Sequence, residues 1–284
     1  MALTNRAAYI LWAGSSLFNQ NGDCPFCENN QTHLVKRKAL VTALYECPDC
    51  GLRFRVPKDD ADALYRFYQT HYQQGFTTEM PSPVELQELV QNHFRGSPKD
   101  YAKYIQVLNA LPLPKGASIF DFGCSWGYGS WQMHDAGFRV YSYEISQPRA
   151  EYAASQLNCT MLADPFTLPA QVDCFFSAHV LEHLAEPQQM WKVIHSVLKP
   201  DGIVVCVVPN GDPRREQIGD ANYHKLWGQV HPLMVTQRFL EQSALRNGFQ
   251  PLVLTSPFSP AQVARREAPG EMTGDELLLI ARRA

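Results

Sequence analysis

From Ala117 to the C-terminus, short apolar runs alternate with stretches whose apolar residues recur at helical spacing. "ASIFDFG", "RVYSYEI", "CTMLA", "VDCFFSA" and "GIVVCVV" read as five successive strands. The last is almost wholly β-branched, as expected of a strand covered on both faces. Between them, "SWQMHDAG", "SQPRAEYAASQL" and "PQQMWKVIHSVL" read as helices. Gly137 stops the first; Ser146 caps the second, with Pro148 in its first turn. Met190, Ile194, Val197 and Leu198 share one face of the third. Thr236 caps a further helix ending at Gly248, and "FQPLVLTS" and "DELLLIARR" close the chain as two more strands. This alternation implies a doubly wound, mostly parallel α/β sheet over residues 116–284. The long stretch 209–235 fits neither period.

Upstream the pattern changes. Residues 21–57 are short, polar and strand-like, with turn signals. Residues 58–115 read as a helical linker. Tyr65, Tyr68 and Tyr72 share a face, Pro81 and Pro83 interrupt it, and a second helix runs from Val84 to about Leu111 before "LPLPKG" ends the region. Residues 1–20 read as an arm or short helix. The apolar stretch from Ala7 to Leu17 is broken by Gly14, Ser15 and Ser16 and is too short to span a membrane. Only Arg6 is positive before it, and no small-x-small cleavage site follows, which argues against a secretory signal.

Composition adds bounds. The chain has 284 residues, 45% hydrophobic, enough to core one large domain or two unequal ones. A formal net charge of −3 and a pI near 6.3 do not suit a chain that neutralises many phosphates. Cys124, Cys159, Cys174 and Cys206 sit in or beside apolar runs and read as buried thiols of a reducing, cytoplasmic compartment.

The loop "DFGCSWGYGS" (121–130) follows the first strand, so it lies at the carboxyl edge where doubly wound sheets bind ligands. Gly123 and Gly127 let backbone approach a ligand closely. Ser125 takes a position usually held by glycine, where a positive φ would strain it. No Gly-Lys-Ser/Thr follows to grip a phosphate. Asp121 would repel a pyrophosphate and attract an ammonium group. Glu144, 23 positions later at the end of the second strand, can accept both hydroxyls of a ribose. Asp164, after the third strand, can accept an adenine amino group. A ribose and an ammonium without phosphate describe S-adenosylmethionine. A dinucleotide fold is the alternative; it usually has all three fingerprint glycines and no acid two residues before the first.

Cys24/Cys27 and Cys47/Cys50, in "CPFC" and "CPDC", are separated by 19 residues. This is the spacing of a zinc ribbon, in which two knuckles complete a closed thiolate tetrahedron. Gly51 suits the second knuckle turn. A module of this size lacks the core to fold alone, so structural zinc would supply its folding energy. A redox pair is the alternative, but no thioredoxin-like unit surrounds it.

"IFDFGCSWGYGS" and "VYSYEIS" resemble the first two motifs of the class I S-adenosylmethionine-dependent methyltransferases. "SAHVLEHLAEPQQMWKVIHSVLKPDGIVVCVVPN" is similar to their fourth strand through fifth strand. The resemblance covers about 117–255. It implies a Rossmann-like seven-stranded sheet with a reversed final strand, which "DELLLIARR" would supply, and a cofactor site of Asp121, Gly123, Cys124, Ser125, Gly127, Glu144, Ile145, Asp164 and His179. The cysteine module, with "CPDCGLRFRVP" and "LYRFYQTHY", resembles the N-terminal zinc-binding part of some bacterial methyltransferases, including sugar C-methyltransferases. Those usually carry an extra C-terminal domain, which this chain does not match.

The fourth strand runs into "HVLEHL", placing His179, Glu182 and His183 beside the cofactor crevice. The resemblance to sugar C-methyltransferases implies proton removal by Glu182 and His183; shaping of the loop is the alternative. "HVLEH" also matches a zinc-peptidase pattern, H-x-x-E-H, but lacks the long helix that pattern needs. Stretch 209–235 offers Tyr223, His224, Trp227 and His231, either as a substrate wall, with His231 a second polar contact, or as a surface loop with packed aromatics. The expected activity is methyl transfer to a small molecule (sugar nucleotide, glycan precursor or secondary metabolite) at oxygen or carbon, with no membrane partner. The alternative is an RNA methyltransferase whose ribbon grips nucleic acid. Across 21–58, six positive residues face four negative ones, which disfavours it.

Overall fold

The computed structural model describes residues 22–38, 41–59, 69, 79–228, 231–267 and 270–284. The expected arm at 1–20 and the face of Tyr65, Tyr68 and Tyr72 lie outside the described residues. Strands β1 (His33–Lys38), β2 (Thr42–Glu46) and β3 (Arg53–Val56) pair antiparallel in the cysteine-bearing region.

The single helix expected from Val84 to Leu111 is two helices, α1 (Pro83–Gln91) and α2 (Ala102–Ala110). Ser82 starts α1 with a reciprocal capping box to Glu85. Between them His93, Phe94 and Gly96 adopt positive φ, and Pro98 keeps the preceding residue out of helical geometry. An apolar pattern that runs through such a break looks continuous in sequence.

The second sheet comprises β4 (Ser118–Phe122), β5 (Arg139–Tyr143), β6 (Thr160–Met161), β7 (Val172–Ala178), β8 (Leu198–Pro209), β10 (Phe249–Thr255) and β11 (Glu276–Arg283). Its order is β10-β11-β8-β7-β4-β5-β6. Only β11 breaks the parallel run, lying antiparallel between β8 and β10. Helices α3 (Tyr128–Asp135), α4 (Gln147–Leu157), α5 (Gln188–Val197), α6 (Pro213–Gln217), α7 (Gln237–Arg246) and α8 (Pro260–Arg265) join or flank the strands. Pro148 is in the first turn of α4, as expected, but Ser146 caps it without a side-chain hydrogen bond.

Apolar layers cover both faces of this sheet. Met190, Trp191 and Ile194 of α5 and Phe239 and Leu240 of α7 pack one face. Tyr104, Val107 and Leu108 of α2 and Met133 of α3 pack the other. Residues Val204 to Val208 of β8 are therefore buried without alternation. Chain order reverses at β4, whose neighbours are β5 and β7, so their carboxyl ends open a crevice there.

Stretch 209–235 is not only a loop. Its last residues form β9 (Leu233–Met234), which adds antiparallel to β3 through Arg53–Met234 and Phe54–Leu233. The cysteine-bearing sheet is thus four-stranded, and its fourth strand arrives from the other end of the sequence. Phe26 meets the ring of Phe239 edge-on at 5.1 Å, so the two regions also share apolar core.

Candidate functional site

The loop after β4 wraps tightly. Gly123 and Gly127 hold φ of +85° and +88°. A Cβ on Gly123 would stand 2.3 Å from Val180 Cγ2, and one on Gly127 would stand 2.8 Å from Ala153 Cβ and Cys159 Sγ. Both glycines are thus required by backbone and by neighbours alike. Ser125 also sits in the left-handed region, at φ +54°. Its side-chain oxygen accepts from Arg149 Nη1 at 2.8 Å, and its N–H donates to Glu144 Oε2 at 2.8 Å. The Arg149 side chain is almost wholly buried beneath the loop. Nothing in the sequence marked this arginine.

Glu144 fixes the second wall. Its two oxygens accept the N–H groups of Ser125 and Ser146, leaving lone pairs toward the crevice. Burial raises its pKa, and those N–H bonds oppose the rise. Asp121 lies beneath the loop, 2% exposed, and accepts from Ser130 Oγ at 2.5 Å. Ser142 Oγ donates to Ser130 in turn at 2.9 Å. Burial lifts the Asp121 carboxyl to about 7, against the pull of the Ser130 hydroxyl. Cys124 is also buried under the loop, its Sγ toward the Ser125 carbonyl.

Two clefts meet above these residues. The first is lined by Gly123, Glu144 and Ile145 with apolar walls from Phe122, Tyr143 and Val180, and offers ≈ 840 Å³ of free volume including its open mouth. One carboxylate among apolar walls, at nucleoside scale, suits a ribose beside a flat base. Pro165 lines this cleft, whereas Asp164 is exposed, its Oδ1 accepting the Phe166 N–H to hold the turn. The structure therefore does not bring Asp164 into the wall.

The second cleft, ≈ 1220 Å³ on the same basis, is polar. His179, Glu182, His183 and His231 line it, joined by Tyr101, Tyr104, Tyr128 and Glu276. Gly123, His179 and His183 border both clefts. Glu276 Oε1 accepts from His179 Nε2 at 2.9 Å and from the Tyr104 hydroxyl at 2.6 Å; Lys103 Nζ bonds Oε2 at 2.5 Å. Burial disfavours charge on His179, but Glu182 and Glu276 override it and raise its pKa to about 9. Glu276 is held at about 2, against burial, by His179, Lys103 and Tyr104. Glu182 is likewise held below the usual range, against burial, by the imidazoles around it. Burial, reinforced by His183, pushes His231 down to about 4. The rings of His183 and His231 pack edge to face at 4.6 Å. Glu276, Lys103 and the tyrosines escaped the sequence reading because no local motif carries them; Gly129, where a Cβ would meet the Tyr101 ring at 2.3 Å, was the one local trace.

The cysteines converge as their spacing predicts. Cys24 and Cys50 sulfurs are 3.6 Å apart, as are those of Cys27 and Cys47, and the chain has no disulfide among them. Four sulfurs at about 2.3 Å from one zinc stand about 3.8 Å apart, so the set fits a tetrahedron. Gly51 turns the second knuckle at φ +76°; Glu28 turns the first at φ +59°. Among the described residues no helix is long and apolar enough to cross a membrane.

Residues 120–206 match the family described as a methyltransferase domain. An uncharacterized methyltransferase of Oceanobacillus iheyensis is 31% identical over 114 residues, 38% of this chain and 54% of that protein. A malonyl-[acyl-carrier protein] O-methyltransferase of Pseudescherichia vulneris is 27% identical over 178 residues, 58% of this chain and 68% of its own length. The chain thus spans about half the length of the Oceanobacillus relative. Magnesium protoporphyrin IX methyltransferase from Synechocystis PCC 6803, solved with bound SAH, superposes with a TM-score of 0.51 at 16% identity, covering 79% of this chain and 100% of its own; this likeness is one of fold.

Proposed function

We propose that this chain, which carries a class I S-adenosylmethionine-dependent methyltransferase domain, moves the methyl group of that cofactor to a small-molecule acceptor seated among His179, Glu182, His183 and His231. The supporting observation is the meeting of an apolar, single-carboxylate cleft with a polar one along Gly123, His179 and His183. Bound S-adenosylmethionine supplies an electrophilic methyl carbon on a good leaving group. Glu144 receives the ribose hydroxyls; Ile145, Tyr143 and Phe122 enclose the nucleoside. The bared backbone at Gly123 admits the methionine part, and Asp121 below it adds negative charge for the ammonium. Holding the reactants in line contributes about 7–11 kcal/mol in favourable cases. Glu182 and His183 are the candidates for taking a proton from the acceptor, a further 10²–10⁴-fold or so.

In the same reading, Cys24, Cys27, Cys47 and Cys50 hold one structural zinc. Residues 21–57 act as the ribbon, 58–115 as the linker and 116–284 as the catalytic domain, with 231–234 lent to the ribbon sheet. A small acceptor is favoured over RNA because five of the ribbon's six basic side chains, all but Arg37, are engaged within the protein. The relative named malonyl-[acyl-carrier protein] O-methyltransferase is named for a carrier-bound malonyl group and not for RNA.

The test is titration calorimetry with S-adenosylmethionine on the wild type and Glu144→Ala, followed by labelled-methyl transfer into cell extract. We expect at least 100-fold weaker cofactor binding in the variant. Label should enter the low-molecular-weight pool. Label in RNA, or cofactor binding indifferent to Glu144, would overturn the assignment.

A further inference from the structure

Glu182, His183 and His231 stand together in the polar cleft, and we infer that they bind a divalent cation to which a hydroxyl-bearing acceptor is ligated, so that transfer goes to oxygen. This rests on the methyltransferase reading above and narrows its acceptor. A carboxylate oxygen of Glu182 and one nitrogen from each imidazole lie within 4.8 Å of one another. The Glu182 side chain is 3% exposed, and neither of its oxygens has a hydrogen-bond partner among the described residues. Its Oε1 instead faces His179 Nδ1 at 3.5 Å and His183 Nε2 at 3.9 Å. The imidazoles around it favour its charged form against burial, but neither oxygen is directly bonded among the described residues, and a cation between the three groups would supply those missing bonds.

The geometry also converges. Donors on one cation at about 2.1 Å lie about 3–4 Å apart, so small rotations of the side chains close the cluster. The Leu226 backbone carbonyl bonds the His231 ring, the second contact a ligating imidazole usually makes. His179, the first histidine of the H-x-x-E-H pattern, is drawn off by Glu276. His231, 48 positions after His183, supplies the third donor instead. Two imidazoles and a carboxylate suit a first-row divalent ion and leave coordination positions open to the cleft.

With Glu182 and His183 engaged as ligands, they would not take the proton themselves; the cation would acidify an acceptor hydroxyl in an open position, and its proton would pass to water at the mouth of the cleft. An oxygen lone pair then forms the O–CH3 bond as the S–CH3 pair returns to sulfur. The cofactor leaves as a neutral thioether and the acceptor as a methyl ether or ester.

Mn²⁺ is the probe, because it prefers oxygen and nitrogen donors to thiolates and so reports on this site and not the ribbon. The full chain with its ribbon metal would be titrated with Mn²⁺ and followed by electron paramagnetic resonance. One site is expected, weakened at least 10-fold in Glu182→Gln and in His231→Gln, with zinc content and S-adenosylmethionine affinity unchanged. Should Glu182→Gln not fold, His231→Gln decides the matter. A wild type that binds S-adenosylmethionine yet shows no saturable Mn²⁺ site below about 1 mM, or Mn²⁺ binding untouched by both substitutions, overturns the cation site and leaves the methyltransferase reading standing. A folded wild type that binds neither removes both.

Discussion

Ser125 holds a left-handed φ at the centre of the loop after β4, the proposed cofactor loop, a conformation that costs a non-glycine residue about 1–3 kcal/mol. The Arg149 guanidinium and the Glu144 carboxylate fix it there, so the strain is offset by two hydrogen bonds. Gly123 leaves no such option, since its φ and the Val180 methyl both exclude a side chain. Gly123→Ala should lower stability by about 2 kcal/mol or more and weaken cofactor binding. Adding Val180→Ala should restore the steric part and not the backbone part; thermal melts of the three variants check this. Asp121 gives a pH signature. Its folded pKa of about 7 exceeds the 3.8 of a free aspartate, so the cofactor-free fold holds its proton more tightly than the unfolded chain. That stabilisation is complete below pH 3.8 and is lost as pH rises through about 7, on the order of 4 kcal/mol at 1.36 kcal/mol per pH unit. Asp121→Asn should flatten the stability curve over this window in urea titrations. Saturating S-adenosylmethionine should also reduce the slope, because its ammonium favours the ionised carboxylate. At this scale the loop glycines and strand-end acids were legible in the sequence, and the structure gathers Asp121, Gly123, Ser125, Gly127 and Glu144 at the carboxyl ends of β4 and β5. The sequence did not show that Asp121 lies under the loop or that Asp164 stays outside the cleft, since those follow from how α3 and β6 pack.

Strand β9 ties the ribbon to the polar cleft, the proposed acceptor site. It pairs with β3 on one side and lies against the turn Leu181–His183 on the other, and His231 stands two residues before its first residue, Leu233. Thr236 makes a second tie. Its Oγ1 accepts the Phe239 N–H, capping α7, and donates to the Gly51 carbonyl beside the second knuckle. Thr236→Val keeps the shape and removes both bonds, leaving buried groups unpaired; a loss of about 1–3 kcal/mol and a melting point several degrees lower are expected. Cys47→Ser opens the tetrahedron. It should release zinc, measured by mass spectrometry, and lower methyl transfer as well, because β3 no longer holds β9 and His231 in place. Transfer at the wild-type rate by a zinc-free variant would show that the ribbon does not support the cleft. The strands of the large sheet were legible because β-branched runs such as "GIVVCVV" and turn glycines mark them locally. β9 was not legible: two residues have no periodicity, and their pairing partner lies some 180 positions away. The break between α1 and α2 was missed for the opposite reason, an apolar pattern that continues across Gly96 and Pro98.

Over the whole molecule, charge bears on the proposed choice of a small acceptor over RNA. The net charge of −3 gives no general attraction to phosphate, so an RNA site would need a local basic face. Five of the six basic residues across 21–58 are engaged within the protein, and the sixth, Arg37, is exposed. Lys36 pairs with Glu216 at 2.7 Å, and Arg53 pairs with Glu46 at 2.6 Å while reaching the Tyr223 hydroxyl at 3.0 Å. Lys38 donates to the Trp227 carbonyl at 2.6 Å and stands 4.1 Å over the Trp227 ring. Arg55 is buried against Asp59, and Lys58 donates to the Asp23 carbonyl at 3.1 Å. These side chains bind the ribbon to itself and to stretch 209–235, so turning them toward a phosphate chain would break contacts the fold uses. Non-specific nucleic-acid binding by basic proteins lies near 10⁻⁴–10⁻⁶ M at physiological salt and strengthens steeply as salt falls. This protein should bind a random 20-nucleotide RNA no more tightly than about 10⁻⁴ M at 150 mM salt, with little gain at 50 mM, in fluorescence anisotropy. Micromolar affinity with a steep salt slope would mean that these pairs open on binding, and would move the acceptor from a small molecule to RNA.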